Sequence, residues 1–172
     1  MKTSDQIVLR KEVQLDDPEK IKTIVTSTGF FRDDEILVAT ELAEERLEKG
    51  AASGYEFLFA DIDGVTVAYS CYGLIPCTLH SYDLYWIVTH RDYMNKGIGK
   101  FLLQETEQAI FLLGGNGIYV ETSSKEQYNP TRAFYEKNQY LLQARFKDFY
   151  AQDDDKLVFV KTKQDHPEKN PA

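Results

Sequence analysis

Residues 82–122 carry the pattern that most restricts the fold of this chain. A bulky strand is followed by a basic, glycine-spaced turn, a helix, a glycine stop and a second short strand. In 82–89, Leu84, Trp86 and Val88 alternate with Asp83, Tyr85, Ile87 and Thr89, so both faces carry large side chains and the strand reads as central in a sheet. Ile98, Phe101, Leu102, Ala109 and Leu112 recur at helical spacing, with Glu105 as a polar interruption, until Gly114 and Gly115 stop the run before the strand at 118–122. A strand–helix–strand order of this length is a right-handed crossover, which makes the two strands parallel neighbours.

The flanking segments extend this unit. An alternating strand at 7–13 precedes Asp16-Asp17-Pro18, an Asp cap and first-turn proline suited to a helix start; Ile21, Ile24 and Val25 follow, and Gly29 ends the helix. A second helix from about Asp33 buries Ile36, Ala39, Ala43 and Leu47 and stops at Gly50. Its other face carries Asp33, Asp34, Glu35, Glu41, Glu44, Glu45 and Glu48 against Arg46, and reads either as a solvated face or as one wall of a site for a cation. Two β-rich runs, 55–60 and 65–72, meet at Asp63-Gly64, the strongest local hairpin signal in the chain. A helix at 128–138 and strands at 140–146 and 156–163 complete the chain, with Asp153, Asp154 and Asp155 in the last loop and a polar tail over 164–172. A length of 172 residues fits one domain, read as 1–163 plus the tail.

Charge narrows the partners. Twenty Lys and Arg oppose 28 Asp and Glu, a net charge of -8, which argues against nucleic-acid backbones and anionic membranes and favours a cationic partner or plain solubility. No apolar run approaches a membrane span, no signal-peptide core follows the start, and a cytoplasmic protein is expected. Cys71 and Cys77, the only cysteines, are expected to be buried free thiols, and with His80, His90 and His166 they form no metal-ligand spacing.

The chemistry concentrates at Thr89-His90-Arg91-Asp92-Tyr93-Met94-Asn95-Lys96-Gly97-Ile98-Gly99-Lys100-Phe101. Two glycines at a helix start let backbone amides approach an anion, and the helix dipole favours phosphate there. A dinucleotide fingerprint would require glycine where Leu102 stands, and a P-loop would require Ser or Thr where Phe101 stands, so neither applies. The turn resembles motif A of the GNAT superfamily of acyl-CoA N-acyltransferases, Q/R-x-x-G-x-G/A, with Gly97-Ile98-Gly99 as its glycines and Met94 in place of Gln or Arg. A second segment, Tyr128-Asn129-Pro130-Thr131-Arg132-Ala133-Phe134-Tyr135, continuing through Tyr140, resembles motif B, N-x-x-A-x-x-F-Y-x-x-x-G-F. Asn129 stands one residue late, and Gln139 replaces the helix-ending glycine, with Asn138 the residue able to take the left-handed conformation instead.

The resemblance covers about residues 7 to 163 and implies an α/β fold. Its mixed, mostly antiparallel seven-stranded sheet splits at two central parallel strands, 82–89 and 118–122, and is flanked by about four helices. It implies acetyl-CoA as co-substrate and no metal, with the diphosphate on the backbone of Met94, Asn95, Lys96, Gly97, Ile98, Gly99 and Lys100. Pantetheine would pair with Ile87, Val88 and Thr89, and Asn129 and Arg132 would add coenzyme contacts. A backbone N–H of the central strand would polarise the thioester carbonyl.

Tyr135 matches the family's general acid, a phenol that protonates the departing thiolate, or else packs against the sheet as Phe134 does. Amine attack also requires a proton acceptor. Glu121 or Asp83, each an acidic residue inside an apolar strand, or a water chain would serve, and Glu121 is equally suited to pair with Arg132 or Lys125. Phe30 and Phe31, after Thr28-Gly29, and Tyr85 are candidate acceptor contacts, with a hydrophobic linker as the other reading of 28–31.

The implied activity is acetyl transfer to a small primary amine, an amino acid such as D-alanine included, by direct attack in a ternary complex. The alternatives are an acyl-CoA-binding module without catalysis, prompted by Met94, Tyr128 and Gln139, and a protein-amine acetyltransferase. A homodimer fits the resemblance.

Overall fold

A computed structural model describes residues 7–163. The chain runs β1 (Ile7–Arg10), α1 (Asp17–Thr28), α2 (Asp33–Lys49), β2 (Glu56–Ile62), β3 (Val65–Leu74), β4 (Ser81–Thr89), α3 (Ile98–Leu112), β5 (Gly117–Ser123), α4 (Asn129–Lys137), β6 (Leu141–Ala151) and β7 (Asp154–Thr162). The sheet order is β1-β2-β3-β4-β5-β7-β6, seven strands in which β4 and β5 are the parallel pair, as the crossover at 82–122 predicts. Pairings of β1 with β2, β2 with β3, β5 with β7 and β6 with β7 are antiparallel.

Two compact units make up the described chain, one of residues 7–73 and 84–108, the other of 74–83 and 109–163. In the first, α1 and α2 lay Ile21, Ile24, Val25, Ala39 and Ala43 against Phe57, Phe59, Tyr69, Cys71 and Val88 of the sheet. Burial of this many large apolar side chains, at about 1.5–3 kcal/mol each, is what holds these elements together. Its hairpin turns at Asp63 and Gly64, both left-handed (φ 51° and 79°), the conformation that matches a two-residue turn to the twist of its strands. The second unit buries Tyr82, Ile110, Ile118, Val120, Tyr135, Tyr140, Leu157 and Phe159.

Several details differ from the sequence reading. Strand β1 ends at Arg10 because the chain turns there to place Arg10 on Asp17: its guanidinium donates to both oxygens of that fully buried carboxylate at 2.6 and 2.9 Å. Asp16 offers no side-chain cap to α1, and the Asp17 carboxylate instead accepts from the Gln14 amide at 2.6 Å. Lys49 also lies in α2, where it pairs with Glu45 at 2.8 Å, so Arg46 is not the helix's sole cation.

Leu112 is 85% exposed, because the buried stripe of α3 runs through Leu102, Leu103, Thr106 and Ile110. Cys77 is exposed in the β3–β4 connection with φ 65°, whereas Cys71 is buried as expected. The acidic run at 153–155 is not a loop: Asp154 and Asp155 are buried in β7, held by Ser123 and by Arg145 (2.5 Å), and only the turn at Gln152-Asp153 joins the strands. Finally, Gln139 itself takes the left-handed conformation after α4 (φ 70°), while Asn138 stays at φ -98°.

Candidate active site

The turn before α3 is built by short local bonds. Arg91 N–H donates to Ser27 Oγ at 3.0 Å, which fastens the turn to the end of α1, and His90 Nδ1 accepts from the Asp92 amide at 3.2 Å. Lys96 folds back to donate to the Asp92 carbonyl at 2.7 Å, with its ammonium 5.0 Å from the Tyr93 ring centre. Asn95 and Gly97 are left-handed (φ 59° and 82°), and a Cβ built on Gly97 would meet nothing within 4 Å. Alternation of this kind turns successive amides toward one side, the backbone arrangement that cradles anions.

The first bond of α3 runs from Phe101 N–H to the Gly97 carbonyl at 3.0 Å. The amides of Ile98, Gly99 and Lys100 therefore precede any helical acceptor and sit at the positive end of a 15-residue helix. At Met94, where the expected cradle begins, the amide donates to the Arg91 carbonyl at 3.3 Å. The residues present therefore fit a diphosphate without the side chain that Met94 replaces.

Upstream of the turn, Val88 is buried while Ile87 and Thr89 are half-buried. The β4–β5 ladder comprises Ser81↔Gly117, Tyr82↔Ile118 and Asp83↔Tyr119 and stops there, so residues 84–89 have no rung to β5. Phe31 stands edge-on to Trp86 at 5.2 Å, Tyr85 edge-on to Tyr55 at 5.5 Å, and Phe30 is exposed.

In the other unit, α4 starts with Pro130 in its first turn and carries Tyr135 into the core, edge-on to Phe134 and to Tyr140 (5.5 Å each) and stacked on Phe159 at 6.3 Å. Burial pushes the Tyr135 phenol well above its ordinary value, and its hydroxyl makes no hydrogen bond among the described residues. A phenol in that state is a neutral donor without a protein acceptor.

Arg132 donates to the carbonyls of Ser123 (2.7 Å) and Lys125 (3.0 Å) and to Asn129 Oδ1, which joins the end of β5 to the start of α4. Glu121 pairs neither with Arg132 nor with Lys125. Its partner is Lys156 of β7, at 3.2 Å, while Lys125 pairs with Asp154 at 3.6 Å.

Asp83 is half-buried, and its carboxyl is raised from 3.8 to about 6, chiefly by desolvation and next by the charge of Glu121, with Lys156 acting the other way. A carboxylate poised near neutrality is suited to accept a proton. Sequence reasoning missed Lys156, Phe146 and Phe149, which lie near this pair. Lys156 lies on β7 and the two phenylalanines on β6, and no local pattern marks them: only the register of β7 with β5 and β6 brings them to Glu121.

The family model for the acetyltransferase (GNAT) domain matches residues 53–140, which include β4, the glycine turn, α3, β5 and α4. A crystal structure from Desulfovibrio desulfuricans, described as a GNAT-family acetyltransferase, is 40% identical, with 91% of this chain and 98% of that one covered and a TM-score of 0.89. The chain belongs to the GNAT family of acetyltransferases. Other GNAT structures are more distant. The ribosomal-protein-S18-alanine N-acetyltransferase of Escherichia coli is 15% identical (TM-score 0.72, covering 96% and 99%). The PaiA N-acetyltransferase of Thermoplasma acidophilum, solved with coenzyme A, is 20% identical (TM-score 0.68, covering 91% and 98%). At those identities the likeness speaks to the fold alone.

No curated protein matches the chain. As a GNAT enzyme it is an acetyl-CoA-dependent N-acetyltransferase. Among the described residues no group of His, Cys, Asp and Glu is arranged to hold a metal ion, and no helix is long and apolar enough to cross a membrane.

Proposed function

We propose that this GNAT protein transfers the acetyl group of acetyl-CoA to a small primary amine, amino acids included, by direct attack in a ternary complex. The observation that carries the reading is the turn before α3, where left-handed Asn95 and Gly97 lead into three amides that lack helical acceptors. In this reading the diphosphate takes the amides of Ile98, Gly99 and Lys100, with Lys96 and Lys100 adding charge. Pantetheine pairs with the backbone of Ile87, Val88 and Thr89, and Asn129, braced by Arg132, contacts the coenzyme. Phe30, Phe31 and Tyr85 line the acceptor side. Residues 1–163 act as one acetyltransferase domain, and the protein works in the cytoplasm.

Asp83 is the proton acceptor that the electrostatics favour. The acceptor ammonium gives one proton to the Asp83 carboxylate, and the freed lone pair attacks the thioester carbonyl. The C–S bond breaks with its electron pair on sulfur, and the nitrogen releases its second proton to water. Tyr135 donates its O–H to the departing sulfur. Because its phenol holds its proton more tightly than a thiol does, the donation develops as the C–S bond breaks rather than before it. Tyr135 is then reprotonated through water by the proton the nitrogen released, and Asp83 returns its proton to solvent, which leaves amide, thiol and one proton as products.

The experiment is thiol release from acetyl-CoA over a panel of small amines, amino acids and peptide N-termini, compared with Tyr135→Phe. Turnover on small amines that falls at least tenfold in the variant is expected. Tight coenzyme binding with no turnover on any acceptor would identify a binding module instead, and turnover confined to peptides would identify a protein-amine acetyltransferase.

A further inference from the structure

One face of the sheet in the second unit carries a continuous row of charge. Asp83 pairs in register with Tyr119, so Asp83, Tyr119 and Glu121 point the same way from β4 and β5. Across the antiparallel ladder Ser123 meets Lys156, and across the next Lys156 meets Phe146, which puts Lys156 and Phe146 on that face as well. Glu121 occupies the diagonal position next to Lys156, and their side chains meet at 3.2 Å. The same ammonium stands 4.1 Å from the ring centre of Phe149 and 5.3 Å from that of Phe146. Lys156 is thus held by neighbours on both sides, with its side chain only 15% exposed.

We propose that Lys156 is a positioning residue for the proton-accepting carboxylate: it ties Glu121 to the aromatic pair on β6 and leaves Asp83 as the unpaired carboxylate of the row. Asp83 makes no hydrogen bond or ion pair among the described residues, whereas Glu121 is committed to Lys156. The neighbouring Glu121 carboxylate raises the proton affinity of Asp83, and the fixed Lys156 cation opposes this. The aromatic rings supply what a solvated lysine lacks, a reason to stay: cation–π contact with two rings disfavours rotation of the ammonium into water. The titratable groups facing Asp83 are Tyr119 and Glu121 from β5 and Lys156 from β7, and its net displacement upward follows desolvation first and Glu121 second, with Lys156 restraining it.

The inference rests on the acetyltransferase reading, and its test separates the two. In the wild-type protein, Lys156→Met and Lys156→Arg, the Asp83 carboxyl is titrated by carbon NMR without substrate, and kcat/KM for acetyl transfer is followed against pH. Removal of the cation is expected to raise the Asp83 midpoint and the acid limb of the profile together by roughly half a pH unit or more, and arginine is expected to restore both. Glu121→Gln is expected to move them the opposite way.

A Lys156→Met protein that melts like the wild type with both midpoints unmoved would overturn the proposal. So would an arginine variant that behaves like methionine. Absence of turnover in the wild type on every acceptor would instead defeat the acetyltransferase reading, while the carboxyl titration would still report whether Lys156 governs Asp83.

Discussion

The turn at 94–100 and the row formed by Asp83, Glu121 and Lys156 are made from different parts of the chain. The turn is almost wholly backbone. Its left-handed Asn95 and Gly97 and the open helix-start amides shape it, while Lys96 is bonded back to Asp92. The row is wholly side chain, assembled from β4, β5 and β7 through strand register, and one ion pair divides its roles. A backbone site should tolerate loss of a side chain, such as the Gln or Arg that Met94 replaces, because the amide remains when the side chain changes. A side-chain row has no such reserve, since every member is one substitution away from removal.

That contrast orders the expected effects. Tyr135→Phe should produce the largest, a fall in kcat of about 10²–10³-fold with little change in KM, measured by thiol release, because the ring packing survives and only the donor is lost. Next, Asp83→Asn should lower kcat/KM by about 10²-fold and abolish the acid limb. A base must be ionised to work, so with the Asp83 carboxyl raised from 3.8 to about 6, wild-type activity should decline as pH falls through about 6. Gly97→Val should weaken coenzyme binding by about tenfold in calorimetry, since φ 82° is unfavourable for a branched residue and its Cβ would enter the open side of the turn. Lys96→Ala or Lys100→Ala should each cost only about two- to threefold in the same titration. If either lysine variant weakened binding as much as Gly97→Val, the turn would depend on side chains and the contrast would fail. The smallest effect on function is that of Gln139→Gly, which should leave kcat unchanged while raising stability by about 1 kcal/mol, seen as a higher Tm, because glycine takes φ 70° without strain.

The difference between the two regions also explains what could be read from the sequence. Gly97 and Gly99 announce the turn because a backbone requirement shows as a residue type, and the crossover between β4 and β5 follows from helix and strand periodicities on either side. Tyr135 is legible through the motif B resemblance, and the two strand carboxylates as acidic residues out of pattern in apolar strands. Their partners were not: Glu121 meets Lys156 instead of Arg132 or Lys125 because antiparallel register between β5 and β7, a long-range property, sets the diagonal. The aspartates at 154 and 155 were misplaced in a loop for a related reason. Charged residues argue for solvent until a structure shows Ser123 and Arg145 satisfying them.

Strand β6 forms one margin of the sheet, and its pairing with β7 slips between Phe146 and Ala151, where Asp148 takes φ 52° and its amide donates to Asp155 at 2.9 Å. A border interrupted in that way, with Arg145 and Lys147 beside the irregularity, is a poor template for a foreign strand. Lengthening of the sheet past that border is therefore resisted by the backbone of β6 itself, whatever side chains a partner strand would bring.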